Sequence, residues 1–184
     1  ENDIDMVLAI GGGSVIDCAK VVAAGACYDG DPWDLVITPR WIKKALPIYS
    51  VLTLSATGSE MDPFAVISDM SKNEKWGTAS VHMKPKMSIL DPEYTYSVSK
   101  KQTAAGTADM ISHICENYFT NVKNADVQAR FAEGLLKNCF KYGPIALEEP
   151  DNYDARANLM WTASMAINGI LSDGAEVSWC VHPM

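Results

Sequence analysis

The apolar positions of this chain follow two rhythms. Up to about residue 90 they come as short runs closed by small or turn-forming residues, and after about residue 95 they recur at helical spacing. Residues 6–10 are an unbroken apolar run, which suits a central parallel strand covered on both faces. Gly11-Gly12-Gly13-Ser14 follows at once, and residues 15–24 then take up a helical period. Residues 30–44, with Asp31-Pro32-Trp33 and Thr38-Pro39-Arg40, predict a loop holding a short helical turn. Residues 47–54 read as the next strand and run into Ser55-Ala56-Thr57-Gly58-Ser59-Glu60, a second turn of small residues. Residues 64–68 and 75–80 predict a β-hairpin around residues 69–74, and residues 87–90 a last short strand closed by Asp91-Pro92.

The period then changes. Ser99-Lys100-Lys101-Gln102 is a capping pattern that opens a short helix. Gly106 is expected to break that helix before a second one carrying Asp109 and His113. Residues 124–147 predict a helix whose Val127, Phe131, Leu135 and Phe140 form one buried stripe. Residues 150–171 predict another, rich in Met160, Trp161, Met165 and Ile167, and Ala175 opens the next. Met and Trp at helical spacing are core far more often than cofactor contacts, so Trp161 and Trp179 receive no role in a site. The contrast predicts two domains, an α/β one over residues 1–95 and an all-helical one over residues 96–184. Both ends read as cut inside longer elements, which predicts an internal segment of a larger enzyme.

Composition narrows the partners. With 48% apolar residues among 184, a substantial core is affordable, and a formal charge of -8 argues against nucleic acid or an anionic membrane surface. No apolar run approaches the length of a bilayer span and no signal-peptide pattern opens the sequence. Cys18, Cys27, Cys115, Cys139 and Cys180 are odd in number and contain no C-x-x-C. They read as buried thiols in a reducing compartment, with the cytoplasm as the expected address.

Three features carry candidate chemistry. Strand, glycine turn, helix is the layout that sets free backbone N–H groups and a positive helix end against a phosphate. A plain βα turn also favours glycine, but three glycines and a serine in a row favour a diphosphate cradle. The pattern is not G-x-G-x-x-G, since its last position would be Ile16, so a standard Rossmann fingerprint is absent. The turn after the second strand offers the hydroxyls of Thr53 and Thr57, either to a cofactor or to turn capping. In a helix, Asp109 and His113 stand at i and i+4 and can reach one divalent cation, although such a pair also serves as an ordinary surface hydrogen bond.

Read together, these stretches resemble the iron-containing (group III) alcohol dehydrogenases, and most the branch of NADPH-dependent butanol dehydrogenases and aldehyde reductases. The resemblance rests on residues 11–20 (GGGSxxDxAK), residues 53–60, Asp91-Pro92, residues 106–113, and Trp179-Cys180-Val181-His182-Pro183-Met184. It implies a dehydroquinate-synthase-like, Rossmann-type α/β dinucleotide-binding domain followed by an all-helical domain, both truncated in this segment. It implies a divalent metal, Fe2+ or Zn2+, on one Asp and three His. Asp109, His113 and His182 would supply three of these catalytic ligands, and the fourth would lie beyond Met184. It places the diphosphate at Gly12, Gly13 and Ser14 with Asp17 supporting the turn, and adds Thr53, Thr57, Asp62, Lys75, Tyr94 and Ser97 as cofactor contacts. Asp62 stands where the family often has Asn. The implied cofactor is NADP(H) ahead of NAD(H), and the implied reaction is hydride transfer between it and a small aldehyde or primary alcohol such as butanol. A homodimer is the implied assembly of the full-length enzyme. A glycerol dehydrogenase-like member of the superfamily, or a nucleotide-binding segment without catalysis, remain the alternatives.

Overall fold

The computed structural model describes residues 3–120, 122–174 and 179–182. The helix expected from Ala175 onward begins outside the described residues, and residues 179–182 are not helical. The chain divides into two compact units. The first holds the residues up to Leu52 together with Ser59–Leu90, and the second holds Thr53–Gly58 and the residues from Asp91 on. The division thus falls at Leu90, and Thr53–Gly58 after the second strand join the helical unit.

In the first unit, strands β1 (Val7–Gly11), β2 (Ile48–Leu52) and β5 (Met87–Ile89) form a parallel sheet in the order β1-β2-β5. Helix α1 (Gly13–Gly25) follows β1, the short helix α2 (Pro32–Ile37) comes next, and β3 (Phe64–Asp69) pairs antiparallel with β4 (Glu74–Ala79) as the expected hairpin. Register places Ala9 beside Ser50, and these residues with Ile48 and Leu52 form the buried face of the sheet. The core of the unit joins Val21, Ala23 and Ala24 of α1 to Leu35, Val36, Ile42, Ile48, Ala65 and Met83.

The opposite face of the sheet departs from the expectation of a strand covered on both sides. Leu8 pairs with Tyr49 and Tyr49 with Met87, while Ile10 pairs with Val51 and Val51 with Ile89. Side chains alternate along a strand, so these two rows share the other face. Leu8 and Ile10 are 52% and 61% exposed there.

The second unit is built from α3 (Lys100–Tyr118), α4 (Asp126–Glu148) and α5 (Tyr153–Ile167), preceded by a single turn at Pro92–Thr95. Its core sets Met110 and Ile114 of α3 against Ala132, Cys139 and Ala146 of α4 and Ala155, Leu159, Ala163 and Ala166 of α5. Alanines on two helices let the backbones approach, and the larger side chains of the third fill the gap.

Several expectations are corrected here. Gly106 does not break the helix: α3 runs through it from Lys100 to Tyr118, with the Ser99 hydroxyl accepting from the Gln102 N–H at its start. The glycine is there for space, because a Cβ would stand 2.5 Å from the Ser55 carbonyl oxygen. Helix α5 stops at Ile167 rather than 171, capped by Asn168. On α4 the buried positions are Ala132, Cys139, Gly143 and Ala146, whereas Val127, Phe131 and Phe140 are exposed. The large side chains drew the sequence reading to the wrong face. Trp161 is likewise exposed. Of the cysteines only Cys139 is buried; Cys18 and Cys180 are exposed, and none of the five is in a disulfide. Among the described residues no helix is long and apolar enough to cross a membrane.

Candidate metal centre and nucleotide turn

The glycine turn closes β1 and opens α1. Gly11 must be glycine, since a Cβ would fall 2.6 Å from the side chain of Val15 one helical turn on. Gly12 caps α1 in an extended conformation, and the first turn carries no side-chain cap and no acidic residue. The positive end of this 13-residue helix is therefore without a side-chain cap or a first-turn acid. Ser14 is exposed beside it.

Beneath this turn the first unit holds a buried ionic knot. Lys20 is 0% exposed, and its ammonium donates to Ser59 Oγ at 2.8 Å, Asp62 Oδ1 at 2.9 Å and the Phe64 carbonyl at 2.6 Å. These acceptors use all three of its protons. One helical turn back, Asp17 accepts from Ser59 Oγ at 2.6 Å and from the Val66 N–H at 2.9 Å. Burial pushes the Asp17 carboxyl up, against the hydrogen bonds of Ser59 and Val66 and the attraction of Lys20. It pushes Asp62 up to about 6 for the same reason, outweighing Lys20 and the Phe64 N–H. One ammonium here serves two desolvated carboxylates. Asp62, expected as a cofactor contact, is 2% exposed, and its Oδ1 accepts from both Lys20 and the Phe64 N–H. Lys20 closes the GGGSxxDxAK stretch, and nothing in its local pattern announces a buried role.

The other residues of the expected nucleotide site divide between the units. Lys75 is exposed on β4, opposite Ser68. Thr53 and Thr57, both half-buried, lie in the 53–58 turn of the second unit, as do exposed Tyr94 and Ser97 after Asp91.

The second unit brings Asp109, His113 and His182 together. Asp109 and His113 share one face of α3, with His113 Nε2 at 3.8 Å from Asp109 Oδ1. His182 Nε2 lies 3.6 Å from the same oxygen, and one donor atom from each of the three residues falls within 4.8 Å of the others. The two imidazoles stack at 4.4 Å between centroids. Among the described residues, His113 Nδ1 is buried without a hydrogen-bond partner. Burial holds this imidazole below the usual histidine range despite Asp109, and His182 pushes the same way. A neutral ring keeps a lone pair for a cation.

Residues 1–92 match the family described as iron-containing alcohol dehydrogenase, and residues 103–184 match the C-terminal part of the Fe-containing alcohol dehydrogenase family. The chain belongs to the iron-containing alcohol dehydrogenases. It is 61% identical over its whole length to the NADH-dependent butanol dehydrogenase A of Clostridium acetobutylicum, covering 47% of that protein. It is 44% identical over 99% of its length to the NADPH-dependent aldehyde reductase YqhD of Escherichia coli, covering 48% of it. The crystal structure of an NADH-dependent butanol dehydrogenase A from Thermotoga maritima overlays with a TM-score of 0.91 at 46% identity, covering 95% of this chain and 44% of that one. The chain therefore spans about half the length of the curated relatives it matches.

Within this iron-containing alcohol dehydrogenase chain, two further residues touch the Asp109–His113–His182 cluster. Glu116 Oε1 and Oε2 accept from the backbone N–H groups of Cys180 at 2.6 Å, Val181 at 2.8 Å and His182 at 3.1 Å, and Oε1 lies 2.9 Å from His182 Nδ1. Burial alone would raise the Glu116 carboxyl, but the His182 side chain and the three N–H groups bring it down to about 2. The carboxylate is therefore ionised and can only accept, so Nδ1 of His182 carries the proton and Nε2 offers its lone pair on the Asp109 side. Glu116 stands seven residues after Asp109 and three after His113, on the same helical strip. That spacing was the signal available in the sequence. Trp179, given no role from the sequence, meets the edge or face of both imidazoles at 5.9 Å and 5.2 Å.

The donor set fits a divalent cation. Two imidazole nitrogens and a carboxylate suit zinc or ferrous iron, and a carboxylate behind one imidazole is the usual support for such a ligand.

Proposed function

We propose that this sequence belongs to an NAD(P)H-dependent alcohol dehydrogenase or aldehyde reductase that acts on a small aldehyde or primary alcohol such as butanol. The convergence of Asp109, His113 and His182 from two separate elements carries this reading. These side chains would hold the divalent metal, Fe2+ or Zn2+. The bound cation supplies Lewis acidity toward the substrate oxygen, and the nicotinamide supplies or accepts the hydride.

The remaining work belongs to the chain's own groups. His113 stays neutral in its buried position, and Glu116 fixes the proton of His182 on Nδ1 so that Nε2 faces the site. Gly12, Gly13 and Ser14 receive the diphosphate at the head of α1, and Asp17 braces that helix from inside. Thr53, Thr57, Lys75, Tyr94 and Ser97 are the further proposed cofactor contacts. Asp62 acts with Lys20 as an interior brace. The relatives at 61% identity are named NADH-dependent, which favours NAD(H) over the NADP(H) first expected. A cytoplasmic homodimer completes the reading.

The test is metal content and NAD(P)H-linked reduction of butyraldehyde in protein carrying this sequence. Asp109→Ala, His113→Ala and His182→Ala are each expected to lose bound metal and nearly all turnover. Normal metal and activity in any one of them removes that residue from the site.

A further inference from the structure

The two imidazoles of the cluster are not supported alike. Glu116 gathers the backbone N–H groups of Cys180, Val181 and His182 and lies 2.9 Å from His182 Nδ1, so it fixes both the place of His182 and the plane of its ring. A histidine that serves a metal is normally steadied in this way, by a hydrogen bond at the nitrogen turned away from the ion. His113 lacks that support. Its Nε2 stands 3.8 Å from Asp109 Oδ1, beyond hydrogen-bond length, and its Nδ1 is buried with no hydrogen-bond partner among the described residues. Helix α3 fixes where this side chain starts, but the torsion that turns an imidazole is broad. A turned ring would carry Nε2 away from Asp109.

Aromatic contacts remain to hold it. The His113 ring stacks on His182 with centroids 4.4 Å apart and planes inclined by 27°. Trp179 stands across it at 5.9 Å and 65°, and the same indole meets His182 at 5.2 Å and 78°. Edge-to-face pairs at such separations attract, because the positive edge of one ring lies against the negative face of the other. The stack covers one face of the His113 ring, and the indole adds a wall set steeply to it. Trp179 reaches this place because the three residues that follow it are the ones whose N–H groups Glu116 collects.

We propose that Trp179 is the positioning residue for His113: its indole, set across both imidazoles, holds the His113 ring with Nε2 toward Asp109, as the Glu116 carboxylate holds His182. The proposal rests on reading the Asp109–His113–His182 cluster as a metal site. One ligand is then braced by a charge and the other by a ring, so the arrangement needs an aromatic side chain at position 179 and not merely a bulky one.

The probe is Co2+, whose visible absorption reports the number and arrangement of its ligands. Uptake and spectrum are measured at neutral pH in protein carrying this sequence and in Trp179→Phe, Trp179→Leu and Trp179→Ala, with far-UV circular dichroism as the check on folding. Trp179→Phe, which keeps a ring, is expected to bind Co2+ as tightly as the native protein and with the same spectrum. Trp179→Leu and Trp179→Ala are expected to bind about 10-fold more weakly, with altered absorption and unchanged circular dichroism. Equal affinity and spectrum in Trp179→Leu and Trp179→Phe overturn the proposal and leave the metal reading intact. Native protein that takes up no Co2+ overturns both. Should Trp179→Ala not fold, the comparison of Trp179→Leu with Trp179→Phe decides.

Discussion

Replacing Glu116 by Gln tests how the Asp109–His113–His182 cluster is assembled. The carboxylate gathers four donors, the N–H groups of Cys180, Val181 and His182 and Nδ1 of His182, all from one short segment far along the chain from α3. Its fall from 4.5 to about 2 means that the folded state favours the ionised form by about 3 kcal/mol. Because the folded pKa is depressed, this stabilisation is complete above pH 4.5 and disappears as pH falls toward 2. At neutral pH the native protein has all of it. A glutamine removes the charge and turns an NH2 group toward donors that cannot accept from it. Losing about 3 kcal/mol lowers the docked population of the 180–182 segment relative to the undocked one by more than a hundredfold. Where docking was in large excess, part of that loss appears as metal affinity, about 10- to 100-fold, the range typical of a lost carboxylate behind a ligand histidine. Zinc affinity, measured by competition with a chromophoric chelator at neutral pH, reads this directly. A Glu116→Gln protein that binds zinc within twofold of the native one would refute the idea that this carboxylate holds His182 in place.

Gly13→Val, at the buried start of α1, is expected to weaken nicotinamide cofactor binding, read by fluorescence titration; unchanged affinity counts against the diphosphate cradle. Asp62→Asn isolates one pH dependence. With the Asp62 pKa raised from 3.8 to about 6, its contribution is fully present below pH 3.8 and is lost as pH rises through about 6. Native stability minus that of Asp62→Asn, from urea unfolding, should therefore fall by about 2 kcal/mol between pH 4 and pH 7, and a flat difference rejects the assignment. Gly106→Ala should lower Tm, since overpacking against the Ser55 carbonyl costs about 1–3 kcal/mol and exceeds the gain in helix propensity of about 1 kcal/mol. A rise in Tm would show that the helix can shift away.

The strand–turn–helix, the hairpin and the helical second half were legible because each follows a local period. The Asp109–His113 pair was legible for the same reason. What escaped was whatever depends on contacts between distant residues. Gly106 looked like a breaker because its neighbour, the Ser55 carbonyl, belongs to another stretch of the chain. The faces of α4 were exchanged because Val127, Phe131 and Phe140 are the larger side chains, while the packed face needs small ones. Nothing in the local pattern marks Lys20 as buried, because Ser59, Asp62 and Phe64 stand about forty residues on. Glu116 had the right spacing, but its partners are more than sixty residues on, and no periodicity announces them.

Behind the glycine turn, Asp17 and Lys20 stand one helical turn apart on α1 and rivet that helix to Ser59, Asp62, Phe64 and Val66. Loosening those rivets would let the head of α1 swing while the parallel ladder of β1, β2 and β5 stays whole.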